Sequence, residues 1–216
     1  MARQRVAVVD YGGSNLRSVV KAVEHVAGPD IEVRVCERPE ELRAAERIVF
    51  PGQGAIGDCM QHLEERDLVT ALRECVREKP FFGICLGLQS LMTTSDEDGG
   101  TPCLDAFPGG VKRFPADAGP APDGSPRKIP HMGWNEVHWT REHPVTAGIP
   151  SGTRFYFVHS YYVAPRDEAV VLGRTDYILP FCSALASHNV FATQFHPEKS
   201  ADAGLRLLAN FLVWNP

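Results

Sequence analysis

Residues 81–92 read FFGICLGLQSLM, and this stretch decides the fold. The pattern predicts a short buried strand that turns abruptly into a helix at Cys85, which is the geometry of a nucleophile elbow with sulfur in place of oxygen. The elbow needs almost no side chain two residues before and two after the nucleophile, where Gly83 and Gly87 stand. Free N–H groups at the start of the helix favour a thiolate. A buried structural cysteine is the alternative, and the motif alone does not decide between the two.

The chain before the elbow alternates short apolar strands with helices. The pattern predicts strands at 6–9, 31–35 and 47–50, a helix after the first strand, a short helix that begins at Pro39, and a long helix from Met60 to Lys79. This order predicts a parallel sheet in which the elbow strand is the fourth along the chain. Active sites of such sheets lie at the carboxyl ends of the strands. The loop Pro51-Gly52-Gln53-Gly54 is therefore expected to face the same cleft as Cys85.

The sequence pattern changes after residue 95. Short strands are predicted at 111–114, 135–139, 154–158, 169–173, 181–186 and 190–195, and a helix with one apolar face is predicted at 203–214. Strands that follow one another without helices indicate antiparallel additions to the sheet. The predicted fold class is α/β, a central mostly parallel sheet flanked by helices with antiparallel strands added in the C-terminal half. The length of 216 residues and the 44% hydrophobic content favour one domain over 1–216.

Composition argues against several classes of function. The formal net charge of -5 offers no polybasic face, so neither nucleic acid nor an anionic membrane is an expected partner. No apolar run reaches about 18 residues, and the first residues lack the pattern of a signal peptide, which favours a cytoplasmic protein. The six cysteines are scattered without a C-x-x-C pair, so reduced thiols and no metal site are expected. No cofactor is indicated.

A catalytic cysteine needs a histidine, and the histidine needs an acceptor that orients it. His196 stands out among the eight histidines because it ends an apolar run and is followed by Pro197 and Glu198. Residues i and i+2 of an extended chain face the same side, and Pro197 biases His196 toward the extended region. Glu198 can then accept from one imidazole nitrogen while the other faces Cys85. A strand end with a surface histidine and glutamate is the alternative, and the presence of the elbow disfavours it.

Attack on an amide carbonyl also needs backbone donors for the oxyanion. The N–H of Leu86, directly after the nucleophile, is the first candidate by elbow geometry, and the loop with Gly52 and Gln53 can supply the second. The local sequence of that loop fits an ordinary strand-ending turn equally well. Gln89 lies one helical turn after Cys85, so its amide either binds a polar substrate or lies at the surface.

These motifs together resemble a known family. The elbow and His196-Pro197-Glu198-Lys199-Ser200 are similar to those of the class I (triad) glutamine amidotransferases. Three further stretches, at 10–18, 129–135 and 156–162, resemble the glutaminase subunits of imidazole glycerol phosphate synthases. The resemblance spans nearly the whole chain. It implies that Cys85 attacks the carboxamide of glutamine, that His196 shuttles the proton, and that Glu198 orients His196 while a glutamyl thioester is hydrolysed.

The resemblance also implies how glutamine is held. Gln89 and the backbone around Ser160 and Tyr161 match the positions that bind glutamine in the family, and Gly52 and Gln53 match its oxyanion loop. Many relatives carry valine where this chain has Gln53. Because the donor is a backbone N–H, this departure does not exclude the role.

A partner chain is implied as well. The predicted fold uses nearly all 216 residues and leaves no domain to consume ammonia, which would otherwise diffuse away in water. The family's partner is a TIM-barrel cyclase that receives the ammonia and makes imidazole glycerol phosphate and an aminoimidazole-carboxamide ribonucleotide in histidine biosynthesis. Asn15, Trp134 and Lys199 match positions that face this partner in the heterodimer, although the sequence alone fits Trp134 as a core aromatic nearly as well. The stretch 117–127 is longer than is usual in the family and is interpreted as a surface insertion.

Two other interpretations stay open on the residues alone. A cysteine hydrolase of related fold, such as a peptidase or a deglycase, would explain the elbow, although such enzymes usually lack a glutamate two residues after the histidine. A non-catalytic binding module with a decayed site is disfavoured, because every catalytic position carries the required residue type.

Overall fold

The computed structural model describes residues 3–13, 16–116, 119 and 128–216. The strands in these ranges are β1 Gln4–Val9, β2 Ile31–Cys36, β3 Arg47–Gly52, β4 Phe81–Cys85, β5 Met92–Ser95, β6 Thr101–Pro102, β7 Phe107–Arg113, β8 His131–Trp139, β9 Thr153–His159, β10 Tyr161–Pro165, β11 Val171–Asp176, β12 Pro180–Ser187 and β13 Val190–Thr193. The helices are α1 Leu16–Val26, α2 Pro39–Ala44, α3 Ile56–Glu65, α4 Leu68–Glu78, α5 Leu86–Gln89 and α6 Ala201–Val213.

The sheet combines a parallel half with an antiparallel half. Strands β2, β1, β3, β4 and β13 lie side by side in this order, and each neighbouring pair is parallel. Beyond β13, strands β12, β10 and β7 add on in antiparallel pairs. Strand β8 pairs with β11 and forms an antiparallel hairpin with β9. The predicted α/β class, with a parallel core and antiparallel additions in the C-terminal half, is confirmed.

The central strands are buried on both faces because helices cover each side of the sheet. In β1, Val6 and Val8 pack into one apolar cluster with α1 and α6, whereas Ala7 and Val9 pack into the other with α3 and α4. This two-sided burial explains why β1 reads as a continuous apolar run. No helix within the described ranges is both long enough and apolar enough to cross a membrane.

The prediction of one long helix from Met60 to Lys79 is wrong. The chain forms two helices, α3 and α4, and they are separated at Asp67, whose φ is 58°. The buried residues Leu63 and Leu68 are five positions apart, which would place them about 140° apart on one continuous helix. The break lets both residues reach the same core.

Several predicted strand limits also shift. Strand β13 ends at Thr193 rather than at residue 195, and β11 begins at Val171 after a 3-10 turn over Glu168–Val170. The sequence pattern does not predict strands β5, β6 and β10. Strand β6 has only two residues, and β5 lies directly after the elbow where the sequence favours a helix. These short strands are defined by their partners in the sheet rather than by local pattern.

Candidate active site

The elbow has the predicted geometry. Strand β4 ends at Cys85, whose φ of 54° and ψ of -104° mark a strained turn for a residue with a side chain. A Cβ on Gly83 would lie 2.8 Å from the carbonyl oxygen of Gly87, and a Cβ on Gly87 would overlap the carbonyl oxygen of Phe50. Both glycines are therefore required by close backbone approach, and Cys85 is held at the carboxyl end of β4.

We expect Gly87→Ala to destabilise the fold by more than about 3 kcal/mol, because the new methyl group must displace the β3 backbone at Phe50. Urea unfolding of the variant measures this loss. Gly28→Ala is the matched control, since a Cβ at Gly28 meets no atom within 4 Å and should change stability by about 0.5 kcal/mol or less. Equal unfolding midpoints for the two variants would show that the elbow tolerates a side chain.

The helix after the elbow is present as predicted, but it is short. It comprises only the four residues of α5, and the chain turns into β5 at Met92. A single turn carries a much smaller dipole than a full helix, so the expected dipole stabilisation of a Cys85 thiolate is weakened. Charge on the sulfur must be balanced mainly by a nearby cationic side chain.

His196 and Glu198 form a buried pair beside the elbow. Nδ1 of His196 lies 2.8 Å from Oε1 of Glu198, and the two side chains are 2% and 0% exposed. His196 is extended as expected, but Pro197–Lys199 forms a 3-10 turn, so this turn rather than a continued strand brings Glu198 under the ring. Because a carboxylate oxygen only accepts, Nδ1 carries the proton.

The other ring nitrogen of His196 faces the sulfur of Cys85. Nε2 makes no aligned hydrogen bond within the described part of the chain, and Cys85 is its interaction partner on that side. Burial disfavours the charged ring, but the Cys85 sulfur and the Glu198 carboxylate outweigh it and raise the pKa of His196 to about 10. The site therefore favours an imidazolium next to the sulfur, which is the cationic partner that a thiolate needs.

The loop after β3 lies next to the elbow, as predicted. Gly52 is the partner of Cys85 in the parallel pairing of β3 with β4. A Cβ on Gly52 would lie 2.9 Å from Cβ of Leu86 and 2.8 Å from the hydroxyl of Tyr11, so only glycine fits between them. The backbone N–H of Gln53 contacts the hydroxyl of Tyr11. The structure thus brings the three predicted oxyanion residues Leu86, Gly52 and Gln53 to one place.

The predicted glutamine-binding residues also come together. Nε2 of Gln89 donates to the carbonyl oxygen of Tyr161 at 3.1 Å and to Oε1 of Gln194 at 3.1 Å. Nε2 of Gln194 in turn points to the sulfur of Cys85 at 3.5 Å. Gln89 is 4% exposed, so the surface interpretation of this residue is wrong. The carbonyl of Ser160 accepts from the N–H of Phe114.

Gln194 is a site residue that the sequence pattern alone does not single out. It is completely buried and links the Gln89 amide to the nucleophile. A signal is present, because Gln194 stands two residues before His196 near the end of a predicted strand and should share its side of the chain. Because Gln194 lies within a mostly apolar run, the hydrophobic pattern does not identify it as a site residue.

The residues matched to a partner interface lie beside the site. Trp134 is 45% exposed on the outer face of β8, next to Met132 at 62%. The Trp134 ring packs edge-on against Tyr156, whose carbonyl accepts from the N–H of His196 at 2.9 Å. Lys199 follows the histidine in the 3-10 turn. Asn15 and, apart from Gly119, the insertion at 117–127 lie outside the described residues.

The cysteines carry no disulfide, and all six are buried. The described ranges contain no group of three or more His, Cys, Asp or Glu side chains that could hold a metal ion. Burial raises the pKa of the Cys59 and Cys182 thiols to about 12, and that of Cys36 to about 11. Cys85 is the thiol that interacts with the buried His196–Glu198 pair, whose ring can take its proton.

Comparison with known proteins gives a consistent result. The sequence profile of the family described as Glutamine amidotransferase class-I matches residues 7–214. The chain is 53% identical over 210 residues to the imidazole glycerol phosphate synthase subunit HisH of Nitrosococcus oceani, covering 97% of both chains. It is 55% identical over 212 residues to the protein of the same name from Methylococcus capsulatus, covering 98% of this chain and 97% of that protein. A solved structure described as a glutamine amidotransferase has a similar fold, with a TM-score of 0.70 at 19% identity over 96% of this chain and 99% of that one.

Proposed function

The chain belongs to the class-I glutamine amidotransferase family, in the group of imidazole glycerol phosphate synthase subunits, and from this premise we propose that it hydrolyses glutamine to glutamate and ammonia at Cys85. The observation that carries the proposal is the buried His196–Glu198 pair, which is set against the sulfur at the elbow. A buried histidine with a carboxylate behind it and a thiol in front has the arrangement of a nucleophilic triad.

In the proposed first half-reaction, the sulfur of Cys85 attacks the carboxamide carbon of glutamine while Nε2 of His196 holds the thiol proton. The carbonyl oxygen becomes an oxyanion, and the N–H of Leu86 with a donor from the Gly52–Gln53 loop stabilises it. When the tetrahedral intermediate collapses, the C–N bond breaks and His196 gives its proton to the leaving nitrogen. Ammonia is released and a glutamyl thioester remains on the enzyme.

In the second half-reaction, water attacks the thioester carbon. His196 takes a proton from the water, and the same oxyanion donors act again. The C–S bond then breaks, glutamate leaves, and the proton returns to the sulfur. Glu198 keeps the Nδ1–H tautomer throughout, so that Nε2 always faces the reacting atoms.

The ammonia is proposed to pass to a second chain. We assign this partner to the TIM-barrel cyclase of imidazole glycerol phosphate synthase, which would use ammonia to make imidazole glycerol phosphate and an aminoimidazole-carboxamide ribonucleotide in histidine biosynthesis. The names of the relatives, which describe them as subunits, support a heterodimer. The exposed apolar pair Met132 and Trp134 beside the site supports docking on this face. Lys199 and Asn15 match partner-facing positions of the family, and we assign them to the same interface on that resemblance. We place this glutaminase, as one domain over 1–216, in the cytoplasm.

Acid quenching of the working complex tests the proposal. The chain is mixed with the cyclase, glutamine is added, and the quenched protein is digested and analysed by mass spectrometry. We expect one glutamyl group on the peptide that contains Cys85, and glutamate formation that increases when the cyclase carries its ligand. Turnover of peptide substrates with no glutamyl adduct would instead support a cysteine peptidase of related fold.

A further inference from the structure

Two buried histidines outside the triad lie next to each other at the end of the β8–β9 hairpin. His131 and His159 are partners in the antiparallel pairing, and Nδ1 of His131 lies 2.9 Å from Nε2 of His159. They are 3% and 6% exposed. Burial lowers the pKa of His131 to about 4 and, together with the nearby His131, that of His159 to about 3. Both rings are therefore neutral near pH 7.

Hydrogen-bond partners fix the proton on each ring. Nδ1 of His159 lies 2.7 Å from the carbonyl oxygen of Tyr161, which can only accept, so Nδ1 of His159 carries the proton. Its Nε2 is then an acceptor, which requires a proton on Nδ1 of His131. Nε2 of His131 accepts from Nδ2 of Asn135 at 3.3 Å. These hydrogen bonds form a row that runs from Asn135 through His131 and His159 to the carbonyl of Tyr161. Every donor in this row points from Asn135 toward Tyr161.

The row ends on the group that anchors Gln89. The carbonyl oxygen of Tyr161 accepts from His159 and also from Nε2 of Gln89, so both of its lone pairs are used. Gln89 continues to Gln194 and from there to the sulfur of Cys85. Asn135 on β8 and the nucleophile are thus joined by an unbroken series of hydrogen bonds in which each buried polar atom has one defined role.

Packing holds the first ring in place. His131 is stacked between Phe157, with ring centroids 4.8 Å apart, and Tyr177, at 4.0 Å. A phenylalanine at 131 could keep these stacks but would supply no N–H, which would leave Nε2 of His159 as a buried acceptor without its donor. An asparagine could place an amide N–H close to the position of Nδ1. The site therefore offers a variant that removes the hydrogen bond and another that restores it.

We propose that His131 and His159 are positioning residues of the glutamine site, which hold the Tyr161 carbonyl and, through it, the Gln89 amide in the orientation that receives glutamine. This inference deepens the proposed function and rests on it. Neither histidine exchanges protons with the substrate in this role. Their loss should weaken glutamine binding more than it slows the chemical steps at Cys85.

Steady-state glutamine hydrolysis by the complex with the cyclase and its ligand tests the role. For His131→Phe we expect the KM for glutamine to rise about tenfold, while kcat stays within about threefold of wild type. His131→Asn should recover most of the KM. Far-UV circular dichroism and binding to the cyclase serve as checks that each variant is folded. An unchanged KM in His131→Phe, or a KM in His131→Asn as high as in His131→Phe, would overturn the positioning role.

A second measurement uses the wild-type chain and depends neither on a variant nor on activity. Long-range proton–nitrogen NMR correlations of the histidine rings should show both His131 and His159 as neutral Nδ1–H tautomers at pH 7. An Nε2–H tautomer in either ring would overturn the inference. A wild-type complex that hydrolyses no glutamine would contradict the proposed function itself, whereas an active complex with the wrong tautomers would contradict only the role of these two histidines.

Discussion

Cys85→Ala should abolish glutamine-dependent synthesis by the two-chain complex and leave ammonia-dependent synthesis unchanged. Removing a nucleophile that acts together with its histidine typically costs about 10⁴-fold or more in rate. The alanine keeps the Cβ at the elbow, and Cys85 is only 6% exposed, so the fold and the docking face should persist. Ammonia added from solution bypasses this chain, because in the proposed function only the partner uses it. Product formation is followed with glutamine and with an ammonium salt in parallel assays.

Cys36→Ala is the matched control for this experiment. Cys36 is also a buried thiol at the carboxyl end of a parallel strand, but β2 is separated from β4 by two strands of the sheet. Its sulfur donates to the carbonyl of Arg34, and no hydrogen bond joins it to a histidine among the described residues. Both assays should therefore retain the wild-type rate. Glutamine-dependent synthesis that survives in Cys85→Ala would refute the assignment of the nucleophile.

The parts of the site that the sequence predicts are those defined by local geometry. The elbow demands glycine at two fixed offsets from Cys85, and the pair His196 and Glu198 is separated by a single proline, so each signal lies within a few residues. The parallel sheet follows from the alternation of strands and helices in the first half of the chain. These features depend on residues close together in the sequence rather than on contacts between distant residues, and the structure agrees with them.

The parts that the sequence does not predict depend on register between distant strands. His131 and His159 stand 28 residues apart, and only the pairing of β8 with β9 brings their rings together. Gln194 reaches Gln89 across 105 residues. The local sequence around a buried polar residue in an apolar run does not indicate which residue it will hydrogen-bond. Such networks become visible only once the sheet order is known.

Glu198→Gln should lower kcat/KM for glutamine hydrolysis by about 10² to 10⁴-fold. The carboxylate accepts from Nδ1 of His196 at 2.8 Å, and a neutral amide can rotate to present N–H groups to the same nitrogen, which favours the wrong tautomer. The change also removes a negative charge that raises the pKa of His196. The imidazolium that we propose to protonate the leaving nitrogen is then lost at a lower pH, so the alkaline limb of the activity profile should move toward acid pH.

Glu198→Asp distinguishes the effect of the negative charge from the effect of side-chain length, because it keeps the carboxylate on a shorter side chain. We expect the alkaline limb of Glu198→Asp to stay near that of wild type even though its rate is reduced, since the charge that supports the imidazolium persists. Glu136→Gln supplies the surface control: Glu136 pairs with His138 two residues away at 3.5 Å, but both side chains are 55% exposed. Water screens that pair, so activity and pH profile should not change. An alkaline limb of Glu198→Gln at the wild-type pH would contradict this prediction. It would mean that the carboxylate orients the ring but does not raise the pKa of His196, which the Cys85 sulfur alone would then raise.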